Sequence, residues 1–372
     1  MIAYGICGEG RGHASRALTV VERFAGDREF LLFAARDAYH FLQSHYEHTP
    51  NVTVREIPGL HFQYIVRRIS YVKSFLGSLP FLLQLRRYTS LIKSEIKARS
   101  CELVISDFEP LTARAANQLS IPLATLDHQS FIRYMDLGDL SPLHKLKTML
   151  MRPFVALHYD GSPDTSIVSS FFCQRLQPNA KICNTGVLIR SQILDQRPSV
   201  GNYLLVYLRK HRMEELTRLL SGLGRRVVIY SSNPPADFGN LEFRKIGKAS
   251  FCEDLANCEG LICNAGNQLV GEALYLRKPV LAIPEPGNHE QWLNGHFLDG
   301  MDVGVCVPHD QLNQQRLQDF LDRIPDFRAA INPSHYVGNQ QIFEQLGAML
   351  PTSQPAALAD PCEAITASSH AA

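Results

Sequence analysis

The sequence predicts an α/β protein built as two doubly wound parallel sheets that face each other across a cleft. Short apolar runs rich in Ile, Val, Leu and Phe alternate with helical patterns, the order that builds parallel strands covered by helices on both faces. The alternation runs through twice, with a break in the pattern around residues 186–201. At 372 residues the chain is also longer than one hydrophobic core normally supports, so two domains are expected.

In the first series, strands are expected at 2–7, 29–34, 52–57, 102–106 and 121–126, and helices at 15–25, 37–46, 80–99 and 110–119. The first strand runs through Gly8, Gly10 and Gly12 into His13. Glycines tolerate positive φ and let the backbone approach a ligand, and the helix that follows turns its N–H groups towards an anionic or polarised oxygen. Gly8 and Gly10 fit the start of a dinucleotide fingerprint, but His13 stands where a third glycine would let helix and strand pack closely, which disfavours a nicotinamide cofactor. The second series follows "PSVGN" at 198–202, with strands at 203–208, 226–231, 241–245, 259–263 and 279–283 and helices at 211–222, 249–257, 267–276 and 288–299. Two such halves put a ligand cleft at the carboxyl ends of both sheets. From 351 to 372 the chain is small, polar and aperiodic, and is expected to be disordered.

Composition excludes several function classes. Lys plus Arg number 37 against 36 Asp plus Glu, so no global positive field points to nucleic acid. The nine cysteines are scattered and form no C-x-x-C pair, which favours reduced thiols over a disulfide framework or a zinc site. His40, His45 and His48 share no helical face, so a surface loop is expected there rather than a metal site, and no cofactor is implied. The chain enters its first strand without a signal-type leader, and its longest apolar stretch, at 74–85, is interrupted by Pro80 and too short to span a bilayer. A cytoplasmic location is expected.

The most specific signal is "GLICNAGNQLVGEALYLRKPVLAIPEPGNHEQWLNG" at 260–295, which reads as strand, glycine turn, helix, strand, loop and helix. The turn Asn264, Gly266, Asn267, Gln268 would aim the N–H groups of a helix start at a phosphate. Glu272, about a turn and a half into that helix, could accept two ribose hydroxyls. Glu290 and Gln291, at the next helix start, pair an acceptor with an amide, which suits sugar hydroxyls.

These residues, with Lys278, Pro279 and Asn294, resemble the donor-binding motif of GT-B glycosyltransferases, in particular the group that includes the bacterial lipid II-forming UDP-N-acetylglucosamine transferase and the UDP-sugar transferases of families 28 and 1. "NTGVLIR" at 184–190 is similar to the family's interdomain link, Phe251 falls where an aromatic meets the nucleobase, and "GEGRGH" matches the acceptor-side glycine loop. The resemblance implies two Rossmann-like domains. Residues 1–185 would bind the acceptor, 186–201 would link, and 202–350 would bind the nucleotide sugar. It departs from the family pattern at Asn264 and at Gln268, Leu269 and Val270, so phosphate contact would rest on backbone N–H groups, with Gly10 and Gly12, and on Arg209 or Lys210. The reaction implied is transfer of a sugar from a UDP-sugar to an acceptor hydroxyl, metal-independent and, by analogy, inverting. A UDP-sugar 2-epimerase and a non-catalytic nucleotide-sugar-binding partner are the alternatives.

In that setting His13 becomes the expected base for the acceptor hydroxyl, oriented by Asp107 at the end of the 102–106 strand. Asp107 read alone would equally be a helix N-cap, and Asp127 and His128 are lower-ranked alternatives. Residues 57–94 and 140–154 contain no acid but interleave Arg67, Arg68, Lys73, Arg86, Arg87, Lys93, Lys145, Lys147 and Arg152 with large apolar residues. Two readings stand: amphipathic helices whose apolar faces line the core, or an interfacial surface for the inner, anionic face of the cytoplasmic membrane, where a lipid-linked acceptor would be met.

Overall fold

The computed structural model describes residues 1–8, 11–60, 64–65, 68–69, 71–138, 140–159, 163–178, 180, 182–208, 213–246 and 250–351. Gly10, Arg67, Arg209, Lys210 and the tail from 352 lie outside them.

The first half runs β1 (Ile2–Ile6), α1 (Arg11–Phe24), β2 (Phe30–Ala34), α2 (Arg36–Tyr46), β3 (Val52–Glu56), the short β4 (Tyr64–Ile65) and β5 (Arg68–Ile69), α3 (Tyr71–Leu83), α4 (Leu85–Ala98), β6 (Leu103–Asp107), α5 (Pro110–Leu119), β7 (Leu123–Asp127), α6 (Ser130–Tyr134), α7 (Pro142–Leu157), β8 (Thr165–Ser169) and β9 (Cys183–Thr185). The second runs α8 (Ser191–Leu194), β10 (Tyr203–Tyr207), α9 (Met213–Ser221), β11 (Arg226–Ser231), β12 (Leu241–Lys245), α10 (Ser250–Asn257), β13 (Gly260–Cys263), α11 (Asn267–Tyr275), β14 (Val280–Ala282), α12 (His289–Asp299), β15 (Gly304–Cys306), α13 (Gln314–Ala330) and α14 (Asn339–Ala348). The strands form two main sheets, ordered β3-β2-β1-β6-β7-β8-β9 and β12-β11-β10-β13-β14-β15, besides the β4-β5 pair. Both main sheets are parallel throughout. Burial on both faces explains the unbroken apolar runs, such as the fully buried Phe30–Ala34.

Strand order reverses beside β1 and β6 in the first sheet and beside β10 and β13 in the second, and crevices open at such switch points. The register sets Ile6 opposite Asp107, so the end of β6 faces the loop leaving β1.

Three expectations are corrected. The first helix starts at Arg11 rather than 15, so His13 sits in its first turn instead of on the preceding loop. The single helix expected at 80–99 is two, parted at Gln84, whose φ of −98° and ψ of 3° leave the helical region. His40 and His45 are exposed on helix α2 rather than on a loop, with His48 just beyond it. A further feature has no sequence signal. Helix α14 returns to the first half, where Ile342 and Leu346 join the cluster of Ile2, Tyr4 and Val20, and Phe343 meets Phe24 edge-on at 6.0 Å.

Candidate active site

Three charged or ionisable side chains close the crevice between β1 and β6. His13 Nδ1 lies 2.7 Å from Asp107 Oδ1. Arg16, one turn further along α1, donates Nε to Asp107 Oδ2 at 2.8 Å and Nη2 to Oδ1 at 2.7 Å. Asp107 is fully buried. Burial alone would raise its pKa, but Arg16 and His13 hold the carboxyl down to about 2. Arg16 Nη2 also lies 2.9 Å from His13 Nδ1; in the tautomer that donates Nδ1–H to Asp107, Nε2 is the basic atom of His13. Asp107 is followed by Phe108 in the left-handed region at φ 54°, a strained position for a non-glycine residue that is braced by its ring stacking on His158 at 3.7 Å. Glu109, not Asp107, caps α5, accepting from the N–H groups of Leu111 and Thr112. That removes the N-cap alternative for Asp107.

The lower-ranked pair is engaged elsewhere. Asp127 accepts from Ser130 N at 2.6 Å and from the Tyr159 hydroxyl, and burial pushes its carboxyl up to about 6. His128 meets Asn294 Oδ1 through Nε2 at 2.8 Å, and burial drives its pKa down to about 3.

Across the cleft, Gly266 is the N-cap of α11, and a Cβ placed there would meet nothing within 4 Å. A Cβ on Gly12 would come 3.5 Å from Gln268 Cβ, so the start of α1 abuts the start of α11. Asn267 bridges the halves, donating to Ser169 O at 2.9 Å and accepting from Phe171 N at 3.1 Å. Gln268 donates to Leu188 O and to Glu272 Oε1, both at 2.9 Å, while its own Oε1 is buried without a partner. Glu272 is 1% exposed and holds Arg190 through two bonds, at 2.7 and 2.6 Å. The carboxylate expected to face a ribose is therefore occupied by a guanidinium from the interdomain segment.

The remaining positions fall around the same helices. Asn264 donates to Ile283 O at 3.0 Å, and Phe251 packs between Tyr207 and Tyr230. Gln291 Oε1 accepts from Glu285 N at 2.7 Å, and Glu290 lies 3.4 Å from the Gln129 amide of the first half. Lys278 is buried and donates to the carbonyls of Ser199 and Cys258, a structural use. Two residues that sequence reading did not assign to the site, Arg16 and Arg190, hold the two key carboxylates. Arg190 carried a signal only as the last residue of "NTGVLIR".

At the carboxyl ends of β2 and β3 lies a cavity of about 340 Å³ lined by Arg36, Glu56, Ile57, Phe81, Gln84 and Tyr88 among others. Along α3 and α7 many apolar side chains face outwards: Leu76, Leu79 and Leu83, then Leu143, Leu146, Met149 and Leu150. On these helices, the expectation that the apolar face lines the core holds only for residues such as Phe81 and Val155. Among the described residues no helix is long and apolar enough to cross a membrane, and no group of three His, Cys, Asp or Glu is placed to hold a metal.

A family model described as glycosyl transferase family 1 matches residues 1–325. An uncharacterized glycosyltransferase of Methanopyrus kandleri is 23% identical over 291 residues, 68% of this chain and 79% of that protein. Among solved structures, MurG of Acinetobacter baumannii aligns with a TM-score of 0.61 at 15% identity, over 93% of this chain and 99% of its own. CalG4, the calicheamicin glycosyltransferase, gives 0.64 at 15% identity over 95% and 99%. LpCGTa in complex with UDP gives 0.64 at 14% identity over 94% and 98%. The solved structures share the fold of two parallel α/β sheets.

Proposed function

The chain belongs to glycosyl transferase family 1, a GT-B glycosyltransferase, and from that premise we propose that it moves a sugar from a UDP-sugar to an acceptor hydroxyl, with inversion and without a metal. The observation that carries the proposal is the His13–Asp107 pair set at the start of α1, directly against the start of α11. His13 Nε2 takes the acceptor proton as the hydroxyl oxygen attacks the anomeric carbon, and the bond from that carbon to the diphosphate oxygen breaks. The departing UDP is anionic, and the N-terminus of α11 at Gly266 meets its charge, so that no metal is required. A carboxylate-held imidazole acting from the acceptor side supports single displacement, hence inversion.

Donor recognition is assigned to residues 202–350, with Phe251 towards the base, Glu272 towards the ribose, Glu290 and Gln291 towards the sugar, and Asn264, Asn267 and Gln268 around the diphosphate. Gly10, Gly12 and Arg209 complete the assignment on sequence grounds. Because Arg190 occupies Glu272, donor binding must loosen that ion pair. The acceptor is assigned to residues 1–185, where the cavity beside Arg36 and Phe81 supports an acceptor with an apolar portion. The basic, acid-free stretch at 57–94 supports a lipid-linked one met at the inner face of the cytoplasmic membrane.

The test is incubation with radiolabelled UDP-sugars and a membrane lipid extract, with and without EDTA, followed by NMR of the product's anomeric carbon. Label in a lipid product, insensitive to EDTA and of inverted configuration, is expected. A changed UDP-sugar released without acceptor would make the protein an epimerase and overturn the proposal.

A further inference from the structure

We propose that α7 is a two-faced helix that docks on an anionic lipid surface and transmits that contact to the donor domain. The inference rests on the family reading only in what it says about the donor site; the docking face stands on its own geometry.

The outer face carries Leu143, Leu146 and Leu150 at i, i+3 and i+7, with Met149 beside them, each more than half exposed. Contiguous apolar exposure of this kind marks an interaction site rather than ordinary surface. Lys145 and Lys147 flank the stripe, and no acid occurs from 140 to 154, while Arg152 beyond it is turned inward and donates to the carbonyls of Ile132 and Met135. Helix α3 presents a matching stripe, Leu76, Leu79 and Leu83, again at i, i+3 and i+7 and with Lys73, Arg86 and Arg87 around it. Phe81 of α3 and Val155 of α7 pack into the same buried cluster, on the face of the first sheet opposite α1. Apolar stripes rimmed by cations, with no acid to complement a basic partner, fit an anionic bilayer.

The inner face of α7 is clasped to the other half. The His144 ring stacks on Trp292 of α12 at 3.4 Å and 6°, and Thr148 Oγ1 lies 2.9 Å from His289 Nε2. Helix α12 also carries Glu290 and Gln291, the residues assigned to the donor sugar, and Asn294, which meets His128. Any shift of α7 on a membrane is therefore passed through two direct contacts to the helix that bounds the donor site.

The chain has one tryptophan, so its emission reports on the clasp alone. The experiment combines co-sedimentation with Trp292 fluorescence, using phosphatidylcholine vesicles with and without phosphatidylglycerol. Roughly tenfold stronger binding to the anionic vesicles, falling as salt rises, is expected together with a change in Trp292 emission. Leu146→Glu/Leu150→Glu, at exposed positions, should keep the fold and lose both responses. His144→Ala should still bind vesicles but lose the emission change. Binding that does not depend on lipid charge, or that survives the double substitution, would overturn the docking face. Binding with no emission change in the wild type would overturn the coupling. Calorimetry with UDP on the vesicle-free protein separates the two readings: an emission response without UDP binding would remove the donor assignment while supporting the docked α7.

Discussion

Removing the charge of Asp107 and removing His13 should have opposite profiles, because Asp107 serves two partners. Asp107 is fully buried, and the Arg16 side chain it holds is only 3% exposed. In Asp107→Asn the shape remains but the buried guanidinium loses its counter-ion. Breaking a buried ion pair on one side costs about 3 to 5 kcal/mol, a third or more of the stability of a typical domain. His13→Gln leaves the two Arg16–Asp107 bonds intact and weakens one hydrogen bond to a charged group, about 1.5 to 3 kcal/mol at most. Turnover in that variant should nonetheless fall by about 10²- to 10⁴-fold, the usual contribution of a positioned base. Urea unfolding gives the stability of each variant, and kinetics with both substrates saturating give turnover free of binding effects. The sequence reading casts Asp107 as the group that orients His13; the ion pair with Arg16 makes Asp107→Asn chiefly a folding defect. Wild-type stability in Asp107→Asn would refute the ion-pair argument, and near-normal turnover in His13→Gln would move the base to another residue.

Two further outcomes are expected. Arg190→Ala should destabilise by about 3 to 5 kcal/mol by stranding the buried Glu272 carboxylate, whereas Arg190→Met with Glu272→Gln should recover most of that loss; equal urea midpoints for the single and double variants would argue against a paired role. Stability should also fall as pH drops from 6.5 to 4. Burial lowers His128 to about 3 and His158 and His289 to about 4, so the unfolded chain binds protons in this window that the fold refuses, and stability is full only above 6.5. Each histidine contributes a loss of about 3 kcal/mol. Asp127, raised to about 6, works in the opposite sense between 6 and 3.8 and returns roughly the amount of one histidine. Glu109 and Glu290, which burial also raises, work in the same sense as Asp127, so the net loss is smaller than the three histidines alone would give; a urea midpoint that stays flat or rises on acidification would contradict it.

The strands were legible because a parallel sheet buries both faces: β1 and β2 read as near-continuous apolar runs, β6 and β7 are mostly apolar up to a terminal Asp, and their bounds fall within two residues of expectation. β8, β9 and β15 were not: TSIVS and CNT carry too few large apolar residues to stand out, and GVC is only three residues long. The start of α1 was misplaced because "GEGRGH" has the composition of a loop, and its first turn is helical only in the company of the crevice it closes. The turn at Gly266 and the helix that carries Glu272 were legible because a glycine turn before a helix fixes backbone positions, and backbone positions are what a local motif encodes. Side-chain partners are set at a distance. Arg16 is separated from Asp107 by 91 residues and Arg190 from Glu272 by 82, and each arginine taken alone reads as a solvated helix or linker residue.

That difference has a chemical consequence at both carboxylates. A lone Asp107 would be a base-orienting group and a lone Glu272 a ribose acceptor, each with its charge free for the task. The structure gives each a guanidinium in two-point contact, so both oxygens of each carboxylate are engaged in charge-assisted hydrogen bonds. For Asp107 this suits a fixed role: the charge that aligns His13 stays in place at any pH well above about 2. For Glu272 the proposed ribose role sets a condition, because a ribose could claim the oxygens only as Arg190 gives them up. Arg190 is the more exposed partner, its side chain 21% exposed against 1%, so it is the arginine that must move. Released beside the start of α11, its charge would be available to the diphosphate, and the energy of the broken pair would be offset where the donor's own charge arrives. Donor affinity in Arg190→Lys should accordingly fall in calorimetry, since a lysine can replace the charge but not the two-point exchange. An unchanged UDP affinity in that variant would mean that Glu272 never leaves Arg190.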